Sequence, residues 1–282
     1  MNNVLYIADL LDVDIIGGGE LNDAELCNQL FKKKYTINKK RSHTVTIYDC
    51  KKNDFIIISN FVNLNYNVLE YITQNCKYII YEHDHKYLKN RNPAAYKNFK
   101  APEHHIVHKE FYKKAKSVFC QSSFHKNIIE KNLSINNVYN VSGNLWSDES
   151  LDIISKLAAD STIKKDKISI LNSTTWHKNT KECVFYCEKK KLEYELISSN
   201  VYTDFLSQLS KNKKFMFLPK TPETLSRVVV EARMLNVSTI TNKNVGACHE
   251  KWISLQGNEL IDYMKKNKEK TIKKIVELIN EQ

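Results

Sequence analysis

The stretch Phe217-Leu218-Pro219-Lys220-Thr221-Pro222-Glu223-Thr224-Leu225-Ser226-Arg227-Val228-Val229-Val230-Glu231-Ala232-Arg233 decides how the chain is read. Lys214 to Leu218 is a short apolar run, two prolines mark a turn, and an amphipathic run then continues to Leu235. Thr221 has the chemistry of an N-cap. Pro222 suits a first helical position, where its missing N–H is one that a helix leaves unused. The spacing predicts a helix over 223–235, with Glu223 in its first turn and Glu231 about two turns on, near the same side. Carboxylates so placed accept hydrogen bonds from sugar hydroxyls, and the free N–H groups of a helix start favour a phosphate. An ordinary capped surface helix fits the same residues.

Working outward, short apolar runs alternate with amphipathic stretches throughout, which predicts α/β architecture with largely parallel sheets. In the first half the expected strands are Val4 to Leu10, Thr44 to Tyr48, Asp54 to Phe61, Lys77 to Glu82, Ser117 to Gln121 and Asn137 to Val141. Helices are expected over 20–33, 66–74, 108–116 and 123–133, the last capped by Ser122 or Ser123. A polar stretch, Ser147 to Lys167, reads as a linker, after which strands recur at 168–172, 194–198, 214–218 and 237–241. Helices fit between these, and a final amphipathic run, Glu259 to Glu281, carries apolar residues at helical spacing and should pack on a domain. Two domains follow, 1–147 and 148–282, as two Rossmann-like halves facing each other across a cleft where ligands would meet the carboxyl ends of the strands.

Length and composition agree. At 282 residues the chain is about twice the usual domain size, and 42% hydrophobic with 27% charged residues excludes disordered and low-complexity classes. No apolar run approaches the roughly 20 residues of a bilayer span, and the amino terminus has no secretory pattern. The expected location is therefore the cytoplasm, of a bacterium or of a virus-infected cell. Seven cysteines without a C-x-x-C pair indicate reduced thiols, with Cys183 and Cys187 read as small buried residues. A net charge of +11 favours polyanionic partners: nucleic acid, an anionic membrane surface, or a nucleotide. Part of that charge reflects a bias toward Asn, Ile and Lys.

Four further segments carry possible chemistry. Gly17-Gly18-Gly19-Glu20 follows the first strand and opens a helix, where glycines permit close approach of backbone to a ligand. Tyr81-Glu82-His83-Asp84-His85 ends a strand, and His83 could hydrogen-bond a reacting sugar or accept a proton with Asp84 orienting it. Metal binding by His83, Asp84 and His85 is a rival reading. His104 and His108 have i, i+4 spacing but lack the H-E-x-x-H order, and read as surface polar residues. Ser173-Thr174-Thr175-Trp176-His177-Lys178 follows the first strand of the second half, with Lys178 as the cationic candidate and a solvated lysine as the bland alternative.

The Glu223 to Glu231 segment resembles the E-x7-E signature of GT-B nucleotide-sugar glycosyltransferases, above all the retaining family 4. The resemblance extends in weaker form from Val4 to about Gly246. It implies that Glu223 approaches the donor sugar, that Glu231 holds the nucleotide ribose, and that Lys178 and the glycine loop at Gly18 and Gly19 meet the pyrophosphate. It further places backbone donors at Thr224 and Leu225, where the family has a glycine-rich turn and this chain does not. His83 and Asp84 match the family's pair facing the donor sugar. The reaction so implied is a metal-independent, retaining transfer from a nucleotide sugar, UDP-linked ahead of GDP-linked, with no cofactor. The acceptor stays open between a hydroxymethylated base in DNA, as in viral DNA-modifying members, and a glycan or lipid carrier with peripheral membrane contact. A non-catalytic nucleotide- or nucleic-acid-binding protein of the same fold is a third reading, and a sugar-nucleotide epimerase shares the fold. In a DNA-binding reading, Tyr87, Tyr96, Phe99 and Tyr112 are the aromatic candidates.

Overall fold

The structure is a computed structural model that describes residues 3–11, 17–160 and 163–281. Met1 and Asn2 of the amino-terminal reading, and residues 161 and 162 of the expected linker, lie outside the described residues. The chain divides into two compact units, one of residues up to Leu145 together with those from Asn267 onward, the other Trp146–Lys266.

The first unit holds a six-stranded, all-parallel sheet: β1 (Asn3–Ala8), β2 (Thr36–Arg41), β3 (Phe55–Ile58), β4 (Tyr78–Tyr81), β5 (Val118–Cys120) and β6 (Val138–Asn140), in the order β2-β1-β3-β4-β5-β6. Helices α1 (Gly18–Lys32), α2 (Ile47–Lys51), α3 (Tyr66–Asn75), α4 (Lys109–Lys114) and α5 (Ser123–Leu133) connect them. Alternate residues of a strand face opposite sides of the sheet. Leu5, Ile7, Ile56 and Ile58 accordingly pack in one apolar cluster, and Val4, Tyr6, Phe55 and Ile57 in another. A parallel sheet covered on both faces needs such continuous apolar runs, which is why β1, β3 and β4 are conspicuous in the sequence.

The second unit begins with α6 (Asp148–Ala159) and contains β7 (Lys165–Leu171), α7 (Thr180–Lys190), β8 (Tyr194–Ile197), α8 (Tyr202–Ser210), β9 (Asn212–Phe217), α9 (Arg227–Met234) and β10 (Ser238–Thr241). Its four parallel strands run in the order β10-β9-β7-β8. The final helix, α10 (Gly257–Asn280), starts in this unit and from Asn267 onward belongs to the first. There Ile272, Ile275, Leu278 and Ile279 join the cluster of Val4 and Tyr6, and Lys268 forms a buried ion pair with Glu25 at 2.9 Å.

Three expectations change. The expected strand 44–48 is a turn followed by α2, because Thr46 and Asp49 form a reciprocal capping box that sets a helix start. The strand beside β1 is instead Thr36–Arg41, an edge strand with no buried residue and hence no apolar signature. The expected linker contains α6, capped by Ser147 and anchored by buried Leu151 and Ile154. The expected division at 147/148 kept the last helix wholly in the second domain, whereas its end is part of the first unit's core.

Candidate active site

In the second unit three loops follow the carboxyl ends of β7, β9 and β10 and are joined backbone to backbone. Lys220 N donates to His177 O at 2.9 Å, Glu223 N to Asn244 O at 2.7 Å, and Gly246 N to Glu223 O at 3.0 Å. Asn242 and Asn244 both donate side-chain N–H to Pro219 O, and Asn179 Nδ2 donates to Leu218 O at 2.7 Å. This lacing brings together two of the sequence candidates. Lys178 Nζ lies 3.0 Å from Glu223 Oε1 and 3.2 Å from Oε2, with both side chains partly exposed.

Glu223 is not in a helical turn. It forms a parallel bridge with Val245, and α9 starts only at Arg227. Pro222 tolerates extended backbone as readily as a helix start, and residues 223–225 gain partners in 244–247 while Leu225 is fully buried. That pairing and burial outweigh the helix signals. Leu225 therefore gives its side chain to the core, which leaves only its backbone to face a ligand.

Ser226 precedes α9 with φ 74°, a left-handed conformation unusual for serine, and its buried Oγ has no hydrogen-bond partner among the described residues. It sits where the backbone N–H groups of a helix start converge. Glu231 is 2% exposed, and its Oε1 accepts from Trp146 Nε1 at 3.0 Å, Tyr202 OH at 2.6 Å and Arg227 Nε at 2.8 Å. Arg227 also lies over the Trp146 ring. Burial, and then the Glu231 charge, pushes the Tyr202 hydroxyl well up. In this arrangement Glu231 is the acceptor of a packed three-donor cluster. Arg227 was missed in the sequence, although its i, i+4 spacing to Glu231 is a readable signal.

In the first unit His83 and Gly19 are neighbours: a Cβ placed on Gly19 would meet His83 Cγ at 3.7 Å, an ordinary contact. Gly18 is the first residue of α1, with Gly17 as its N-cap. The partner of His83 is Asp23, on the same helix, with Nε2 2.6 Å from Oδ1; Gln121 Nε2 lies 2.6 Å from Nδ1. Burial alone would lower the His83 pKa, but the Asp23 charge and hydrogen bond outweigh it and raise it. Asp23 is correspondingly held low: its burial is outweighed by His83 and by the bond from Ser59. A neutral ring donates to Asp23 and accepts from the Gln121 amide. A protonated ring needs that amide turned so that its carbonyl faces Nδ1.

Asp84 does not orient His83. Its Oδ1 accepts from Lys86 Nζ at 2.9 Å and Oδ2 lies 3.5 Å from Arg91, which hold its carboxyl low against the effect of burial. Lys86 is itself buried against Glu82, whose other oxygen accepts from Tyr112 OH. Burial would lower the Lys86 ammonium, yet Asp84 and Glu82 push it up to about 12. His85 is buried, and burial brings its pKa down to about 4. Tyr87 and Tyr112 are fully buried and offer no stacking surface. His104 lies in a short turn and His108 caps α4, so they do not share a helix. Among the described residues no three His, Cys, Asp or Glu side chains converge as around a metal ion. No described helix is long and apolar enough to cross a membrane.

Neither a family model nor a curated protein matches the sequence. Solved structures do. An α-glucosyltransferase in complex with UDP and a 13-mer DNA containing a hydroxymethyluracil base aligns with TM-score 0.51 and 11% identity over 99% of both chains. HepE of Anabaena, in complex with UDP and glucose, aligns with TM-score 0.54 and 12% identity over 95% of this chain and 89% of that one. Sucrose-phosphate synthase of Thermosynechococcus elongatus aligns with TM-score 0.57 and 10% identity over 87% and 82%. The fold is GT-B. At such identities the likeness fixes the GT-B architecture and leaves the chemistry to the residues.

Proposed function

We propose that the chain is a glycosyltransferase that moves a sugar from a UDP-sugar to the hydroxyl of a hydroxymethylated base in DNA. The observation that carries the reading is the Lys178–Glu223 pair, held among three strand-end loops beside the start of α9. A nucleoside diphosphate leaving group needs positive charge and N–H donors where its negative charge develops, and Lys178 and the start of α9, with Ser226 as its N-cap, would supply both. The liganded α-glucosyltransferase and HepE, whose structures contain UDP, favour that nucleotide. The DNA in the former, with this chain's +11 charge, favours DNA over a glycan or lipid carrier.

In the proposed reaction the bond between sugar C1 and the distal phosphate oxygen breaks, and that oxygen keeps the electron pair. The acceptor oxygen forms its bond to C1 on the same face and passes its proton to the departing phosphate oxygen, so configuration is retained without a metal. Binding of the diphosphate draws Lys178 toward the phosphate and frees Glu223 to accept from a sugar hydroxyl. In the first unit His83 has both ring nitrogens engaged, by Asp23 and Gln121, so its part is to fix the start of α1 beside Gly19. Asp84 acts at a distance by holding Lys86, and Glu231 supports the site through Arg227.

The reading is tested by UDP release from a panel of UDP- and GDP-sugars, each with and without hydroxymethylated DNA, with Glu223→Ala as control. Release that requires the modified DNA and vanishes in the variant supports it. Release indifferent to DNA moves the acceptor to a glycan or lipid, and no release from any donor sinks the transferase reading in favour of a binding protein.

A further inference from the structure

Of the three tryptophans, Trp146 and Trp252 are buried, whereas Trp176 is 64% exposed. It sits in the short turn Trp176–Lys178 at the carboxyl end of β7, two residues before the Lys178 that pairs with Glu223. The Lys220 ammonium lies over its ring, 5.2 Å from the centroid, and the Lys220 N–H is tied to His177 O. Lys220 is exposed and has no carboxylate within ion-pair distance among the described residues. Lys243 is exposed on the neighbouring loop, which is bonded to Pro219 through Asn242 and Asn244. An open indole with a cation on one face and further lysines nearby therefore stands next to the proposed transfer site.

An indole face binds either a sugar ring or a nucleobase. Sugar sites surround the ring with carboxylates and amides that accept from hydroxyls, while a nucleotide brings a flat base together with a phosphate. Here the group against the ring is an ammonium with no ion-pair partner among the described residues, and the Glu223 carboxylate is already matched to Lys178. The chemistry is that of an anion with an aromatic face.

We propose that Trp176 and Lys220 form a contact for an unpaired nucleotide of the acceptor DNA, the indole stacking on the base and Lys220 meeting the phosphate. This rests on the DNA reading of the acceptor and adds a nucleic-acid contact on the second unit. A base taken out of its stack needs a partner surface, and one close to the transfer site shortens the path for chemistry on it.

The experiment titrates the full chain, without donor, with a short oligodeoxythymidine, following tryptophan emission and the polarisation of a labelled oligonucleotide. The solvent-exposed emission is expected to be quenched. Trp176→Ala should weaken binding about tenfold, as loss of one base–aromatic stack does, while Trp176→Phe keeps most of the affinity. Lys220→Gln should reduce the salt slope by about one phosphate contact. Both positions are exposed, so the melting temperature of each variant serves as the folding control. Unchanged affinity in Trp176→Ala overturns the proposal, and so does quenching by UDP alone with none from the oligonucleotide, which would give the ring to the donor. DNA binding through Trp176 with no donor turnover would uphold this contact and sink the transferase reading; donor turnover with no DNA binding would do the reverse.

Discussion

Lys178 Nζ sits 3.0 Å and 3.2 Å from the two carboxylate oxygens of Glu223, a residue 45 positions away in sequence. The pair is partly exposed, so it contributes about 1 kcal/mol or less to stability. In the proposed transfer its charges matter more. Glu223→Gln and Lys178→Met should each leave the melting temperature within a few degrees and lower kcat by about 100-fold or more, as loss of a charge-stabilising group does. Comparing each single variant with the double variant by steady-state kinetics checks this: fully additive losses would mean that the two residues act independently.

The His83–Asp23 pair predicts a bounded pH window of stability. His83 is raised, so its contribution is complete below the ordinary histidine value and is lost as pH rises through the raised one. Asp23 is lowered, so its contribution is present above the ordinary aspartate value and is lost as pH falls through the lowered one. The stability difference between the native chain and Asp23→Asn should therefore be greatest near about pH 5. Thermal unfolding across pH measures it, and NMR titration of His83 should show its pKa falling in Asp23→Asn, where the main opposition to burial is gone.

Glu231→Ala should be severely destabilising. It leaves the Arg227 guanidinium, the Trp146 indole N–H and the Tyr202 hydroxyl without their shared acceptor in a buried place. Removing one partner of a buried ion pair costs about 3–5 kcal/mol. Glu231→Gln keeps an acceptor and should cost less. Urea unfolding of the two variants ranks them; equal, small losses would show that the cluster tolerates an unmatched charge.

Ser226 combines a positive φ with a buried hydroxyl that has no partner among the described residues. Ser226→Gly should relieve the backbone and stabilise the fold by up to about 1 kcal/mol. On the proposed donor site it should also weaken UDP binding, because a hydroxyl that could turn to a phosphate is gone. Calorimetry of UDP binding beside thermal unfolding separates the two effects; tighter binding by the glycine variant would remove Ser226 from the donor site.

The strands were readable wherever burial on both faces wrote an unbroken apolar run, as in Phe55–Ile58 and Tyr78–Tyr81. Thr36–Arg41 was not, since an exposed edge strand holds its place by backbone pairing to β1 and leaves no pattern in its side chains. Local signals misled at 221–226, where Thr221 and Pro222 look like a helix start but the pairing partner, Val245, lies outside any local window. Lys178, Glu223, His83 and Gly19 were legible as candidates, and the structure pairs Lys178 with Glu223 and sets Gly19 against His83. Asp23 was missed in favour of Asp84 because adjacency in sequence suggested the wrong carboxylate. Asp84 turns to Lys86 and Arg91, while Asp23 reaches His83 from one turn past Gly19 on α1.

The ownership of α10 by both units sets an order on synthesis. Residues 146–266 form a continuous segment, so the second unit has its whole sequence once Lys266 has left the ribosome. The first unit begins earlier but lacks Lys268 for Glu25, and Ile272, Ile275 and Leu278 for the apolar face of β1, until the last helix follows. The unit begun before the other is thus completed after it, and a nascent chain stalled before Asn267 carries that face only partly covered, by α1 residues such as Leu26 and Leu30.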